Sequence, residues 1–109
     1  MSNNITNASD ANFKKEVIES NMPVFVDFFA SWCGPCKYFA NVLNEVAPLY
    51  SEKVKFVKVN VDECPEVAAQ AGIYSVPTLM FYKNGKIEKS MSGALPKDAF
   101  IKEIDKFIQ

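Results

Sequence analysis

The segment Trp32-Cys33-Gly34-Pro35-Cys36-Lys37 carries the strongest chemical signal in this 109-residue chain. Two thiols can join without moving the backbone if their Cα atoms lie about 4.4–6.8 Å apart. Residues i and i+3 of one helical turn are neighbours at about that range. With Cys33 as a helix N-cap, its sulfur faces the unpaired N–H groups of the first turn. Pro35 has no N–H, so the Cys36 N–H is the natural local donor to that sulfur. These donors and the helix dipole favour the thiolate. Cys33 is therefore expected to be the nucleophile, and Cys36, one turn inside, the resolving thiol. Gly34 leaves the sulfur open to a large substrate, and Trp32 supplies a flat apolar contact beside it. Two blander readings compete. The pair could be half of a zinc site, but zinc usually takes four ligands, and the chain offers only Cys64 and no histidine. No metal site is expected. If the two cysteines were merely core residues, the neighbouring Trp, Gly and Pro would have no purpose.

The lack of histidine leaves carboxylates, lysines and thiols for proton transfer. Asp27 is the only charged residue in the apolar run of residues 24–30. A carboxyl in a buried strand has its pKa raised by desolvation. Asp27 is thus a candidate to take and return the Cys36 proton during exchange, through water. The alternative is a strand-end Asp hydrogen-bonded for structure. Cys64 is expected to start a short helix, partly exposed, as a small residue at a helix start. Glutathionylation or an intermolecular disulfide is the functional alternative.

These groups need a scaffold, and the chain alternates strand-like and helix-like segments, which points to an α/β layer fold. Residues 10–20 read as a helix with Phe13, Val17 and Ile18 on one face and Ser9 or Asp10 as cap. Residues 24–30 look like a strand covered on both faces. A long helical pattern starts at Gly34 and runs through Tyr38, Phe39, Val42, Leu43, Val46, Leu49 and Tyr50. Pro48 cannot donate to the Asn44 carbonyl, so a kink or an early end is expected near Val46. Residues 54–61 read as a strand, and Pro65 to Ala71 as a short helix ended by Gly72. Residues 78–82 and 86–91 flank Asn84-Gly85, a type I′ hairpin signal. The last helix opens at Pro96 and presents Phe100, Ile101, Ile104, Phe107 and Ile108. With a weak first strand the order is β, α, β, α, β, α, β, β, α, and the hairpin makes the sheet mixed.

Bulk properties narrow the function. The length is one domain's worth, so residues 1–109 are expected to form a single domain. About half the residues are apolar (49%) and the net charge is -1. That balance argues against a nucleic-acid surface and a polybasic membrane patch. No apolar run is long enough to span a bilayer. Residues 1–10 are polar, with no charged region leading into an apolar stretch, so a cytoplasmic location is expected. An odd number of cysteines does not suggest a structural disulfide framework.

The segment VDFFASWCGPCK resembles the active-site segment of the thioredoxin family, and WCGPC is far more specific than a bare C-x-x-C. KVNVDE, Ser75-Val76-Pro77-Thr78, the KNG hairpin and Ser92-Gly93-Ala94 match as well. The similarity covers roughly residues 5–108. It implies a thioredoxin fold, a central mixed β-sheet flanked by helices on both faces. It implies a protein-disulfide reductase that exchanges Cys33/Cys36 with client disulfides. Such a chain binds no cofactor and draws reducing equivalents from NADPH through thioredoxin reductase. The implied partners are that reductase and disulfide-containing clients, with no nucleic acid and no membrane, for a monomer. The resemblance gives Asp27 the proton role and places Lys58 near it as its tuner, although by pattern alone Lys58 could equally be a solvated strand residue. It makes the Val76-Pro77 bond cis and facing the dithiol, where the backbone of Val76 could pair with an extended substrate. Gly93 and Ala94 would complete a small-residue patch for partner approach, softened by Ser92. Two positions depart from the family: Phe29, where Trp is common, and Asn41, where Pro is frequent. Phe29 is expected to alter packing and fluorescence more than chemistry, with neither residue touching the dithiol. An oxidant or isomerase of the same fold is a rival that Gly34-Pro35 argues against. A binding subunit or scaffold with an incidental dithiol is the rival from another class.

Overall fold

The computed structural model describes residues 4–109. Five strands form one sheet: β1 (Ile5–Asn7), β2 (Val24–Phe29), β3 (Lys55–Asn60), β4 (Thr78–Lys83) and β5 (Lys86–Ser92). Their spatial order is β1-β3-β2-β4-β5. β3 runs parallel to both β1 and β2, β4 is antiparallel to β2, and β5 is antiparallel to β4. The helices are α1 (Gly34–Tyr50), α2 (Pro65–Ala71) and α3 (Lys97–Phe107).

Alternation along the central strands divides the core into two layers. Phe25, Phe56, Leu79 and Phe81 pack with Phe39, Leu43 and Val46 of α1 and Phe100, Ile104 and Phe107 of α3. Val24, Val26, Phe28, Val57, Val59, Met80 and Tyr82 pack with Phe13, Val17 and Val67 on the opposite side. The expected mixed sheet with helices on both faces is thereby present. Asp27 shares its parity with Phe25, so it lies on the α1/α3 face.

Several local expectations are corrected. The helix expected over residues 10–20 is a five-residue π-helical turn, Lys14–Ile18, closed by a wide Glu19 N–H to Lys14 carbonyl bond of 2.9 Å. Its N-cap is Phe13, without a side-chain cap bond, and Ser9 instead closes the turn before it: the Ser9 Oγ accepts from the Asn12 N–H (3.2 Å) while the Ser9 N–H donates to Asn12 Oδ1 (2.7 Å). Ile18 is exposed rather than part of the packed face. The alternative cap, Asp10, serves another helix. Its carboxylate accepts from the Val67 N–H at 2.9 Å and the Glu66 N–H at 3.4 Å, where α2 has bare N–H groups.

Pro48 does not end α1 near Val46, since the helix continues to Tyr50. Asn44 and Pro48 both lie on the exposed face, so the acceptor that Pro48 leaves without a donor can be met by water. Tyr38 and Leu49, read from the sequence as part of the apolar stripe, are exposed as well. The last helix begins one residue later than expected, with Pro96 as its N-cap.

The hairpin turn is as its residues dictate. Asn84 (φ 54°) and Gly85 (φ 78°) both adopt positive φ, as a type I′ turn requires. Gly85 is also the residue that space allows, because a Cβ there would lie 2.8 Å from the Ile18 carbonyl oxygen.

Candidate active site

Cys33 and Cys36 are joined as a disulfide with Cα atoms 5.2 Å apart, inside the range that needs no backbone rearrangement. Cys33 is the N-cap of α1 in an extended conformation, and its Sγ accepts from the Cys36 N–H at 3.2 Å. The first turn of α1 contains no acidic residue, so nothing there offsets the partial positive charge of the helix start. A thiolate at Cys33 would receive both effects, whereas Cys36 sits inside the helix. Cys33 is only 4% exposed and Cys36 3%, so the sulfur is less open than expected. Gly34 has no heavy atom within 4 Å of where a Cβ would stand, which keeps that approach clear.

Ala30, Cys33 and Cys36 form a small apolar cluster, against which Phe29, Val61 and Val76 pack. The Val76-Pro77 bond is cis, and Val76 brings this loop to the dithiol. The Pro77 carbonyl accepts from the Gly93 N–H at 2.8 Å, so Gly93 joins the same surface. Ala94, the next residue, is half-buried and packs in part against the α1/α3 core. Ser92 is tied to Ser75 through their hydroxyls at 3.4 Å. Phe29 packs beside the cluster that holds the two cysteines.

Trp32 is 69% exposed, yet its indole is held. Its Nε1–H donates to Asp62 Oδ2 at 2.9 Å. Asp62 is set by the turn after β3, where Asn60 Oδ1 accepts from the Asp62 N–H at 2.9 Å and from the Glu63 N–H at 3.4 Å. Sequence reading did not single out Asn60 or Asp62. They lie about thirty positions downstream, and only the parallel pairing of β2 with β3 brings them alongside. The one available signal is Asn at a strand end followed by Asp, a common side-chain-closed turn.

Asp27 is fully buried (0% exposed), and neither carboxyl oxygen has a hydrogen-bond partner. Burial raises its pKa from the ordinary 3.8 to about 7, against the smaller opposing pull of Lys58. Lys58 lies directly across from Asp27 in the β2–β3 register. Its Nζ rests 4.5 Å from the centroid of the Phe29 ring.

Cys64 stands apart from this group. It is 3% exposed, not partly exposed as expected. The loop that Asp10 fastens to α2 covers it, and its Sγ donates to the Ala8 carbonyl at 3.5 Å. Burial, followed by the charges of Asp10 and Glu63, pushes its pKa up. A buried thiol of raised pKa is a poor nucleophile, which speaks against glutathionylation. A cleft of about 660 Å³ lies elsewhere, between the π-helical turn, α2 and the start of β5, with Phe13, Val67, Tyr82 and Ile87 in its walls. No residue of the dithiol cluster lines it.

Comparison with known proteins agrees with this geometry. The family model for thioredoxin matches residues 4–106. Thioredoxin 1 of Synechococcus elongatus is 52% identical over 100 residues, covering 92% of this chain and 94% of that protein. Thioredoxin of Rickettsia felis is 44% identical over 108 residues, covering 99% of this chain and all (100%) of that protein. The chloroplastic M-type thioredoxin of Spinacia oleracea is 44% identical over 104 residues, which is 95% of this chain and 58% of that protein.

Proposed function

The chain belongs to the thioredoxin family and is a thiol–disulfide oxidoreductase, and from that premise we propose that it reduces protein disulfides with Cys33 attacking, Cys36 resolving and Asp27 handling the proton. The observation that carries the assignment of roles is the Cys36 N–H to Cys33 Sγ hydrogen bond at the α1 N-cap. It serves one sulfur and not the other.

The Cys33 thiolate attacks one sulfur of the client disulfide, the client S–S bond breaks, and one client sulfur becomes a thiolate while the other stays bound to Cys33 as a mixed disulfide. Asp27, in its carboxylate form, takes the Cys36 proton through water, and the Cys36 thiolate attacks Cys33 Sγ. The mixed disulfide breaks, the second client sulfur leaves as a thiolate to which Asp27 can return the Cys36 proton through water, the first client thiolate takes its proton from solvent, and Cys33–Cys36 becomes the disulfide. Two electrons have moved from the dithiol to the client. An acid with a pKa of about 7 suits a group that both accepts and returns a proton at neutral pH. Lys58, in register with Asp27, tunes it.

Trp32, Gly34, Pro35, Val76, Pro77, Gly93 and Ala94 form the surface on which the client docks. Thioredoxins bind no cofactor themselves. Reducing equivalents come from NADPH through thioredoxin reductase, and the working form is a monomer that binds neither nucleic acid nor membrane. We place it in the cytoplasm. The only unpaired cysteine is buried and the only disulfide is the reactive one, which fits a reducing compartment.

The test is a coupled assay with thioredoxin reductase, NADPH and insulin as the disulfide substrate. NADPH consumption should require the chain and rise in proportion to it. A folded, oxidised chain that supports no NADPH consumption would overturn the proposal.

A further inference from the structure

We propose that the Phe29 ring is a perch that holds the Lys58 ammonium off Asp27, and that this placement sets the pH range over which Asp27 exchanges its proton. The inference rests on the reading of Asp27 as the proton carrier.

Phe29 and Asp27 are two residues apart on β2, so both side chains point to the α1/α3 face. Lys58 is opposite Asp27 and two residues before Asn60, the residue opposite Phe29. Its flexible stem gives it a choice between two neighbours on the same face. Simple attraction between opposite charges would send the ammonium to the carboxyl. Instead it rests 4.5 Å from the Phe29 centroid, within the range where the negative ring face holds a cation. Neither Asp27 oxygen has a hydrogen-bond partner, so the ammonium is not bonded to the carboxyl.

The perch is itself fastened. Phe29 is half-buried and packs against the cluster of Ala30, Cys33 and Cys36. One aromatic side chain therefore packs against the dithiol cluster and also holds the Lys58 charge. Among the described residues, the other elements around Asp27 bring no competing charge to that face. From β4 the register partner is Leu79. α1 buries Cys36 and Phe39 and leaves Lys37 and Glu45 exposed. α3 contributes Phe100 and Ile104. In the reduced protein the Cys36 thiol is one further titratable group, and it is absent in the oxidised one.

The experiment is a pH titration of the Asp27 carboxyl carbon by NMR on the oxidised chain. Phe29→Leu keeps an apolar side chain and deletes the ring face. With the perch gone, the ammonium reaches the carboxyl and favours its charged form. The Asp27 midpoint should fall by about one pH unit. Phe29→Met, also non-aromatic, carries the same expectation if the leucine variant does not fold, and Phe29→Trp should leave the midpoint in place. In a Lys58→Met background, Phe29→Leu should no longer move it. An unmoved midpoint in Phe29→Leu with Lys58 intact would overturn the proposal. So would an equal fall in the Lys58→Met background, because water entering beside a smaller side chain would then be the cause. This titration reads the carboxyl and not the reaction. Failure of the proton-carrier role would show separately, as an unchanged rate of the resolving step in Asp27→Asn.

Discussion

Asp27→Asn should stabilise the folded protein by roughly 4 kcal/mol at pH 8.5 and by almost nothing at pH 3. The carboxyl has an ordinary pKa of 3.8 in the unfolded chain and about 7 in the folded one. Below the lower value both states hold the proton, and the group makes no difference. As the pH rises between the two values, the unfolded chain releases its proton while the folded chain retains it, so stability falls with pH. Above the folded value both are ionised, and the folded state carries the whole cost of a buried charge without a hydrogen-bond partner. Asparagine keeps the shape and does not titrate, and its buried amide lacks partners much as the protonated carboxyl does. Urea unfolding at pH 3, 6 and 8.5 would give the difference at each point. A stability difference that is flat with pH would contradict the burial argument. The same variant should release reduced client more slowly, which is the reason such a costly group persists at this site.

Cys33→Ser should reduce disulfide-reductase turnover by more than about 10³-fold, because the attacking sulfur is lost. Cys36→Ser should also stop turnover, but differently. Cys33 still attacks the client, the resolving thiol is missing, and the mixed disulfide accumulates as a chain–client adduct visible by mass on a non-reducing gel. The difference follows from position: Cys33 is the helix N-cap whose sulfur accepts the Cys36 N–H, whereas Cys36 is one turn inside. Adducts that form in Cys33→Ser and not in Cys36→Ser would reverse the two roles. Cys64 should rescue neither variant, since it is buried outside the dithiol cluster with its pKa pushed up.

What was legible in the sequence was local. The Cys33–Cys36 spacing, the helix start between them, the hairpin at Asn84-Gly85 and the αL cap at Gly72 follow from the chemistry of a few consecutive residues. Asp27 was legible because one carboxyl stood in an otherwise apolar strand. What was missed depends on contacts between distant segments. Asp62 reaches Trp32 only through strand pairing. Cys64 is buried because Asp10 closes a loop over α2, and the residues around Cys64 alone suggest an exposed helix start. Pro48 was judged by its cost to an isolated helix, while its place on the solvent side makes that cost tolerable. Phe29 reads in the sequence as a packing substitution, because only the folded Lys58 side chain reaches across to its ring.

The most direct test of the account is the reduction potential of the Cys33–Cys36 pair, found by equilibration with a thiol buffer of known potential. The account predicts a value near roughly -270 mV, typical of thioredoxins, at which the dithiol donates electrons to most client disulfides. A value of roughly -120 to -180 mV would mark an oxidant or isomerase and contradict it.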